Sequence, residues 1–518
     1  MHVGSNNFLS MNRNNGIVLL LIAFTISGLF SCSKPQKPNI ILFLVDDMGW
    51  QDTSVPFHTE RTPFNGIYQT PNMERLASQG MKFTQAYSHS ICSPTRISLM
   101  SGMNAARHRV TNWTLRRNAT NDREHPTLNM PNWHVNGMQP TDSIENSVYV
   151  TPLPQILKDN GYFTIHAGKA HFGSIGTPGA DPKSLGFDIN IAGHAAGGPG
   201  SYHGEKNFSA VWRNGSPVWD VPGLEKYHGK DINLTEALTR EAIIALDSTS
   251  NSNKPFFLYM SHYAIHAPIE EDHRFIEKYA GMDPIEAKYA SMIESMDKSL
   301  GDLMDYLDKK GIRENTIIVF TSDNGGLSAV ARGGQPHTHN KPLSSGKGSA
   351  HEGGIREPMI VSWPGVTAAN SVTDKYLIIE DFFPTILEMA EISTYQTIQQ
   401  IDGQSFISML NSDQNTSNER ALFWHVPNNW GPQGPGIGAS STIRKGDWKL
   451  IYYHTDQSFE LFNISKDIGE LHNLADQEIG IKNNLAKELA DYLRSVEAQM
   501  PTFKETGKLV PWPDEVLE

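Results

Sequence analysis

Cysteine is nearly absent: the 518-residue chain has 2, Cys32 and Cys92. A disulfide-stapled scaffold of the kind small exported domains use is therefore excluded. A basic excess is missing too. The 43 lysines and arginines are outnumbered by 56 aspartates and glutamates, for a net charge of −13. That argues against a general nucleic-acid-binding surface, and an anionic substrate would need a local cluster of cations. No apolar run reaches the roughly 20 residues of a membrane span. No internal repeat or low-complexity tract stands out. What the chain does have is 43 glycines and 30 prolines among 38% hydrophobic residues, the composition of a globular protein with many turns and long loops. At this length two domains, one of them large, are expected.

The N-terminus carries an address. Arg13 precedes an apolar run from Ile17 to Phe30, broken only by Thr25, Ser27 and Gly28 and ending at Ser31-Cys32-Ser33. It reads as a signal-peptide core. Leu29-Phe30-Ser31-Cys32 resembles a relaxed bacterial lipoprotein cleavage box, which implies export, lipid on Cys32, and a membrane anchor facing the periplasm or cell surface. Residues 1–32 are the expected signal segment and residues 33–38 a short tether. Cys92 is then a lone thiol in an exported protein.

Four apolar runs bounded by turn formers read as strands buried on both faces. Ile40 to Val45 leads into Asp46-Asp47. Phe163 to Ala167 leads into Gly168-Lys169-Ala170-His171. Pro255 to Ser261 leads to His262 and His266, and Thr316 to Thr321 leads into Ser322-Asp323-Asn324. In open α/β sheets, sites gather at the carboxyl ends of strands. Pro71 to Gly80, Leu153 to Gly161, Leu234 to Leu246 and Ile285 to Gly311 show helical spacing. The alternation predicts an α/β layer fold for residues 39–411. After residue 412 the pattern changes. Ala421 to Val426, Thr442 to Tyr453 and Phe459 to Asn463 read as short strands, and Ile479 to Met500 as one helix, a smaller α+β unit over residues 412–518.

Cys92-Ser93-Pro94-Thr95-Arg96 is the sharpest local signal. An adjacent arginine is expected to lower a thiol's pKa and make it more nucleophilic, although a single thiol more often serves as packing. Asp46-Asp47 and Asp323-Asn324 are the second constellation. Hard divalent cations take oxygen ligands, and two strand tips can bring three carboxylates and one amide together. The plain alternative for these residues is turns and helix caps.

The order Cys-x-Pro-x-Arg, Leu99-Met100-Ser101-Gly102, Arg107-His108, Gly168-Lys169-x-His171, His266-x-Pro268, and Gly346-Lys347-x4-Glu352-Gly353-Gly354-x-Arg356-x-Pro358 resembles the type I formylglycine-dependent sulfatases of the alkaline phosphatase superfamily. The similarity runs over roughly residues 38 to 505. Glu357 stands where valine is more usual. The resemblance implies a large mixed central sheet flanked by helices, with a smaller C-terminal α+β domain built on an antiparallel sheet. It implies that a maturation enzyme converts Cys92 to formylglycine (3-oxoalanine), and that one Ca2+ is held by Asp46, Asp47, Asp323, Asn324 and an oxygen at position 92. Glu352 and Arg356 are expected to be structural.

The implied reaction has two covalent steps. The hydrated aldehyde at position 92, beside the ion and Arg96, attacks sulfur. Lys169 and Lys347 hold sulfate oxygens. His266 protonates the leaving oxygen with Lys347 assisting, and His171 is the base for release. His262 is expected to stand behind the site. Trp113, Arg116, Arg117, His194, His337 and His339 are candidates for reading the substrate, which the export address suggests is a sulfated polysaccharide or oligosaccharide. The main rival is a phosphonate monoester or phosphodiester hydrolase of the same superfamily. A non-catalytic glycan-binding lipoprotein is the distant third.

Overall fold

The computed structural model describes residues 37–249, 254–327, 332–410 and 419–517. The expected signal segment, most of the tether and the expected boundary near residue 412 lie outside the described residues.

Strands of three or more residues in the first part of the chain are β1 (Asn39–Val45), β2 (Met81–Tyr87), β3 (Phe163–Gly168), β4 (Ile189–Ile191), β5 (Phe256–Ser261), β6 (Thr316–Ser322), β7 (Arg356–Ser362) and β8 (Ser371–Ile378). They form one eight-stranded sheet in the order β8-β2-β7-β6-β1-β5-β3-β4. β7 runs antiparallel to both its neighbours. The block β6-β1-β5-β3-β4 is parallel throughout. The mixed sheet expected from the resemblance is therefore present. All four strands read from apolar runs lie side by side at its centre, where both faces are covered.

The alternation of side chains along β1 divides the core in two. Ile41, Phe43 and Val45 belong to one apolar cluster, and Ile40, Leu42 and Leu44 to the other. Helices α1 (Pro71–Gln79), α4 (Leu234–Thr249) and α5 (Pro284–Lys310) bury their apolar stripes in the first cluster. Helices α2 (Cys92–Ser101), α3 (Leu153–Asp159) and α6 (Phe382–Met389) cover the second. Asp283 caps α5 by accepting from the backbone N–H groups of Ile285 and Glu286, and Gly311 ends it in a left-handed turn.

The last part of the chain holds an antiparallel sheet of β9 (Ala421–Val426), β10 (Ser440–Lys445), β11 (Trp448–Tyr453) and β12 (Phe459–Asn463). The expected single stretch from Thr442 to Tyr453 is thus two strands joined at Gly446-Asp447. Helix α7 (Ile479–Ser495) lays Leu485, Leu489 and Leu493 against Ile443, Leu450 and Leu461. It stops five residues short of the expected end at Met500.

Candidate active site

Parallel pairing aligns the strand tips: Val45 lies opposite Ser322, Leu44 opposite Ser261, and Gly168 opposite Ser261. The residues that follow each tip therefore meet. The chain leaves β3 through Gly168, whose φ is +103° and where a Cβ would lie 1.9 Å from the Ser261 carbonyl oxygen. Only glycine fits there. Asp47 and His171 also adopt positive φ, 62° and 58°, a conformation that costs non-glycine residues energy and clusters at functional positions.

Cys92 is the first residue of α2, so it sits at the positive end of that helix. Pro94 is tolerated because first-turn N–H groups have no partner inside the helix. Arg96, one turn on, is fully buried. Its Nε donates to Asp323 Oδ2 at 2.8 Å, and a terminal nitrogen donates to the Lys169 carbonyl at 3.0 Å and to Ser261 Oγ at 2.5 Å. Lys347 is placed by backbone bonds on both sides, from its own N–H to Gly326 O and from Gly348 N–H to Ser90 O, each 2.8 Å.

Asp46, Asp47 and Asp323 each offer an oxygen within 4.8 Å of the others, all buried. Lys169 Nζ donates to Asp46 at 2.7 Å, and Lys347 Nζ lies 2.6 Å from Asp47 Oδ1. Asn324 Nδ2 donates to Asp47 Oδ1 at 2.8 Å. Among the described residues, Asp46 Oδ1 and Asn324 Oδ1 are buried without a hydrogen-bond donor, a terminal nitrogen of Arg96 lying 4.0 Å from the former. Orphaned acceptors of this kind are costly unless something positive meets them. Three carboxylates and a free amide oxygen fit a hard divalent cation. Burial, with Asp323 beside it, holds the Asp46 carboxyl well above the usual range. Burial works the same way on Asp47, but Lys347, His266 and Lys169 outweigh it and hold that group low.

The thiol does not behave as the sequence suggested. Burial pushes Cys92 up, against the pull of Lys169 and Lys347. The Arg96 guanidinium, expected to lower it, is instead bound to Asp323. As a thiol, Cys92 is thus a poor thiolate nucleophile.

The two cavity histidines present defined nitrogens. His171 Nε2 lies 2.8 Å from the Thr114 carbonyl, which can only accept, so Nε2 carries the proton. Nδ1 is then a lone pair, and it has no partner. Burial and Lys169 hold His171 neutral. His266 Nδ1 donates to the Ala267 carbonyl at 2.7 Å, leaving Nε2 3.8 Å from Asp47 Oδ2. Burial and Lys347 push His266 down to about 3.

These groups open into a cavity of about 540 Å³ whose wall includes Cys92, His171, His266 and Lys347, and also Trp113, Trp219, Trp430 and Arg123. The Trp113 and Trp219 rings lie 6.4 Å apart. Trp430 lies against Gly348, where a Cβ would meet its ring at 2.2 Å. The Arg123 N–H donates to the Asn429 carbonyl at 2.8 Å, and Asn428 Nδ2 donates to Asp122 at 3.1 Å. Those bonds join the loop after α2 to the loop after β9.

The family model for Sulfatase matches residues 38–392. The chain belongs to the sulfatase family. This sulfatase is therefore a sulfuric ester hydrolase with an alkaline-phosphatase-like fold, and the expected family and enzyme class are borne out. A second model, N-sulphoglucosamine sulphohydrolase, C-terminal, matches residues 346–499. A sulfatase of Formosa agariphila is 30% identical, covering 96% of each chain. N-acetylgalactosamine-6-sulfatase of Mus musculus is 32% identical over 79% of this chain and 72% of its own. The crystal structure of Ps i-CgsB in complex with k-i-k-neocarrahexaose is 27% identical, with a TM-score of 0.70, over 88% of this sulfatase and 93% of that chain.

The structure brings all the main candidates together: Asp46, Asp47, Cys92, Arg96, Lys169, His171, His266, Asp323, Asn324 and Lys347. Others lie elsewhere. His262 donates to or accepts from Ser299 Oγ at 2.9 Å and packs on Phe43. Of the suggested substrate readers, Trp113 lines the cavity, whereas Arg116, Arg117, His194, His337 and His339 do not. His339 faces Glu286 at 3.9 Å. Glu352 is structural as expected, bound by Tyr87, Arg356 and Lys449. Sequence reading missed Arg123, Trp219 and Trp430. A tryptophan in a glycine- and proline-rich loop, as in Asn429-Trp430-Gly431-Pro432, was the available signal.

Proposed function

We propose that the sulfate esters hydrolysed by this enzyme sit on polysaccharides or oligosaccharides, and that Cys92 acts after conversion to formylglycine, beside one Ca2+. The observation that carries the reading is the placement of position 92: at the N-terminus of α2, on the floor of a tryptophan-lined cavity, next to three buried carboxylates. The Cys92 thiol then stands in for the hydrated aldehyde of formylglycine. Bound among Asp46, Asp47, Asp323 and Asn324, Ca2+ would supply positive charge to stabilise an oxyanion nucleophile and a sulfate oxygen.

The chain's own residues do the rest. Arg96 fixes the turn carrying position 92 against the strand tips. Lys347 reaches the cavity wall, and Lys169 supplies a second ammonium on the Asp46 side, so that sulfate oxygens meet compact positive charges. His171, neutral with Nδ1 free, is built to accept a proton. His266 presents Nε2 towards the cavity. Burial is the main reason His266 is deprotonated, and a bound sulfate beside Lys347 would offset only the smaller contribution of that lysine; the proposed role of His266 is to meet the leaving oxygen with Nε2. The glycan assignment is supported by the tryptophans of the cavity wall and by relatives that handle sugars: an N-acetylgalactosamine-6-sulfatase, and a structure in complex with k-i-k-neocarrahexaose. Export and a lipid anchor at Cys32 rest on the sequence pattern of residues 17–33, and a formylglycine-generating enzyme is the implied maturation partner.

Peptide mass spectrometry of protein made with that maturation enzyme, together with turnover of regiospecifically sulfated sugars, tests the proposal. An aldehyde at position 92 and release of sulfate from a sugar are expected. An active enzyme with an unmodified thiol would overturn the nucleophile, and release from aryl sulfates alone would overturn the substrate class. Faster turnover of a phosphate diester than of any sulfate would favour the phosphoryl-transfer rival.

A further inference from the structure

A second cluster of metal-ligating side chains lies outside the cavity. His203, Glu271 and His273 offer donor atoms within 4.8 Å of one another, and so do Glu205, Asp231 and His273. His273 is common to both sets. Three separate stretches of chain supply these groups. An antiparallel bridge pairs His203 with Asn233, and Gly204 N–H donates to the Ile232 carbonyl at 2.9 Å, which brings Asp231 beside Glu205. The stretch holding Glu271 and His273 closes from the other side, with the His203 and His273 rings 5.0 Å apart. His273 Nδ1 lies 3.3 Å from Asp231 Oδ1.

His203 is the decisive residue. It is only 7% exposed, yet neither ring nitrogen makes a hydrogen bond among the described residues, and Glu270 Oε2 stands off at 3.9 Å. It faces a cavity of about 180 Å³ that His273 and Asp231 also line. The nearby cations are engaged: Lys206 with Glu270, Arg274 with Asp272, and Lys288 with one oxygen of Glu271. Two imidazoles with carboxylates select a borderline transition metal such as Zn2+ over the hard cations that all-oxygen sites prefer.

We propose that His203, Glu271 and His273 form a second metal site for Zn2+ or a similar divalent transition metal, separate from the catalytic centre, with Asp231 and Glu205 grouped about the same His273. Its place gives it a structural role. Tyr202, beside His203, donates from its backbone N–H to Glu270 and from its hydroxyl to the carbonyls of Tyr263 and His266. A metal joining His203 to His273 fastens the two ends of that connection and steadies the segment that carries His266.

The test is zinc titration of the full chain with Ca2+ held in excess, read by calorimetry, by metal content after gel filtration and by thermal midpoint. One zinc per chain is expected, with a dissociation constant below about 10 µM and a midpoint that rises with zinc. His203→Ala and His273→Gln should each abolish the binding, while Asp46→Asn should keep it. His273 is half exposed, so His273→Gln is expected to fold even if His203→Ala does not. Failure of the parent protein to bind zinc, or parent-like binding by His273→Gln, overturns the site. Loss of zinc in Asp46→Asn with retention in both histidine variants would assign the metal to the catalytic centre instead.

Discussion

Two nitrogens of Arg96, Nε and one terminal nitrogen, lie 2.8 Å from the same Asp323 oxygen, with both side chains fully buried. The other terminal nitrogen binds the Lys169 carbonyl and Ser261 Oγ. One guanidinium therefore ties α2 to the tips of β6, β3 and β5. Lysine offers a point charge and cannot span three acceptors. Arg96→Lys should lower kcat by about 100-fold or more, ~2.7 kcal/mol in the barrier, with KM changing little. Steady-state kinetics on an aryl sulfate measures this. A parent-like kcat would mean the fork is dispensable.

Among the described residues Asp46 Oδ1 and Asn324 Oδ1 have no donor, and three carboxylates meet in one buried site. Removing a divalent cation from such a centre should abolish turnover and lower the thermal midpoint, since the buried carboxylates then repel one another. Ca2+ should restore both more effectively than Mg2+, which holds its water and demands a stricter octahedron. Full activity after exhaustive chelation, verified by metal analysis, would remove the cation from the mechanism.

Trp430 stands over Gly348, next to Lys347, and Arg123 borders the same cavity from the loop after α2. Neither residue belongs to the carboxylate centre. Trp430→Ala and Arg123→Ala should each raise KM for a sulfated oligosaccharide by about tenfold, the ~1.4 kcal/mol of one good contact. Turnover of a small aryl sulfate should move far less. Equal losses on both substrates would show that these residues support the fold of the site and not the reading of a sugar.

The centre of the sheet was legible because β1, β5 and β6 are buried on both faces and so carry continuous apolar runs, while in β3 Phe163, Ile165 and Ala167 keep the pattern around Thr164 and His166. β2 and β8 were not. Lys82, Thr84 and Gln85 in one, and Thr373, Asp374 and Lys375 in the other, interrupt the pattern at partly exposed positions. β7 hides for another reason: Arg356, Glu357 and Pro358 open a fully buried strand, with Arg356 met by Glu352 one turn earlier and Glu357 by the distant Ser88. Helix α2 has no apolar stripe because every one of its residues is buried, polar ones included. The carboxylate centre was readable because each half follows a readable strand. Of the tryptophan wall only Trp113 was, from its place after the Cys92 segment; Trp219 and Trp430 come from loops whose meeting with it no local pattern encodes.

Glu380 lies buried in the turn that precedes α6, and burial together with the adjacent Asp381 pushes its carboxyl up to about 8. Oε1 accepts from Asn104 Nδ2 at 2.8 Å, while Oε2 has no donor. His89 lies 3.7 Å away but is itself pushed down to about 3 by burial, so at neutral pH neither partner is charged and the contact is no ion pair. The unfolded chain releases this proton near the ordinary value of 4.5, whereas the folded chain keeps it until about 8. The associated stability is therefore complete below 4.5 and is lost progressively as pH rises to about 8, by at most ~1.4 kcal/mol per pH unit. Glu380→Gln keeps an oxygen for Asn104 and carries no proton to lose. Urea unfolding at several pH values across that window should show a smaller decline for Glu380→Gln than for the parent, the two curves diverging as pH rises. Parallel curves would mean that Glu380 ionises in the folded protein as it does in the unfolded chain.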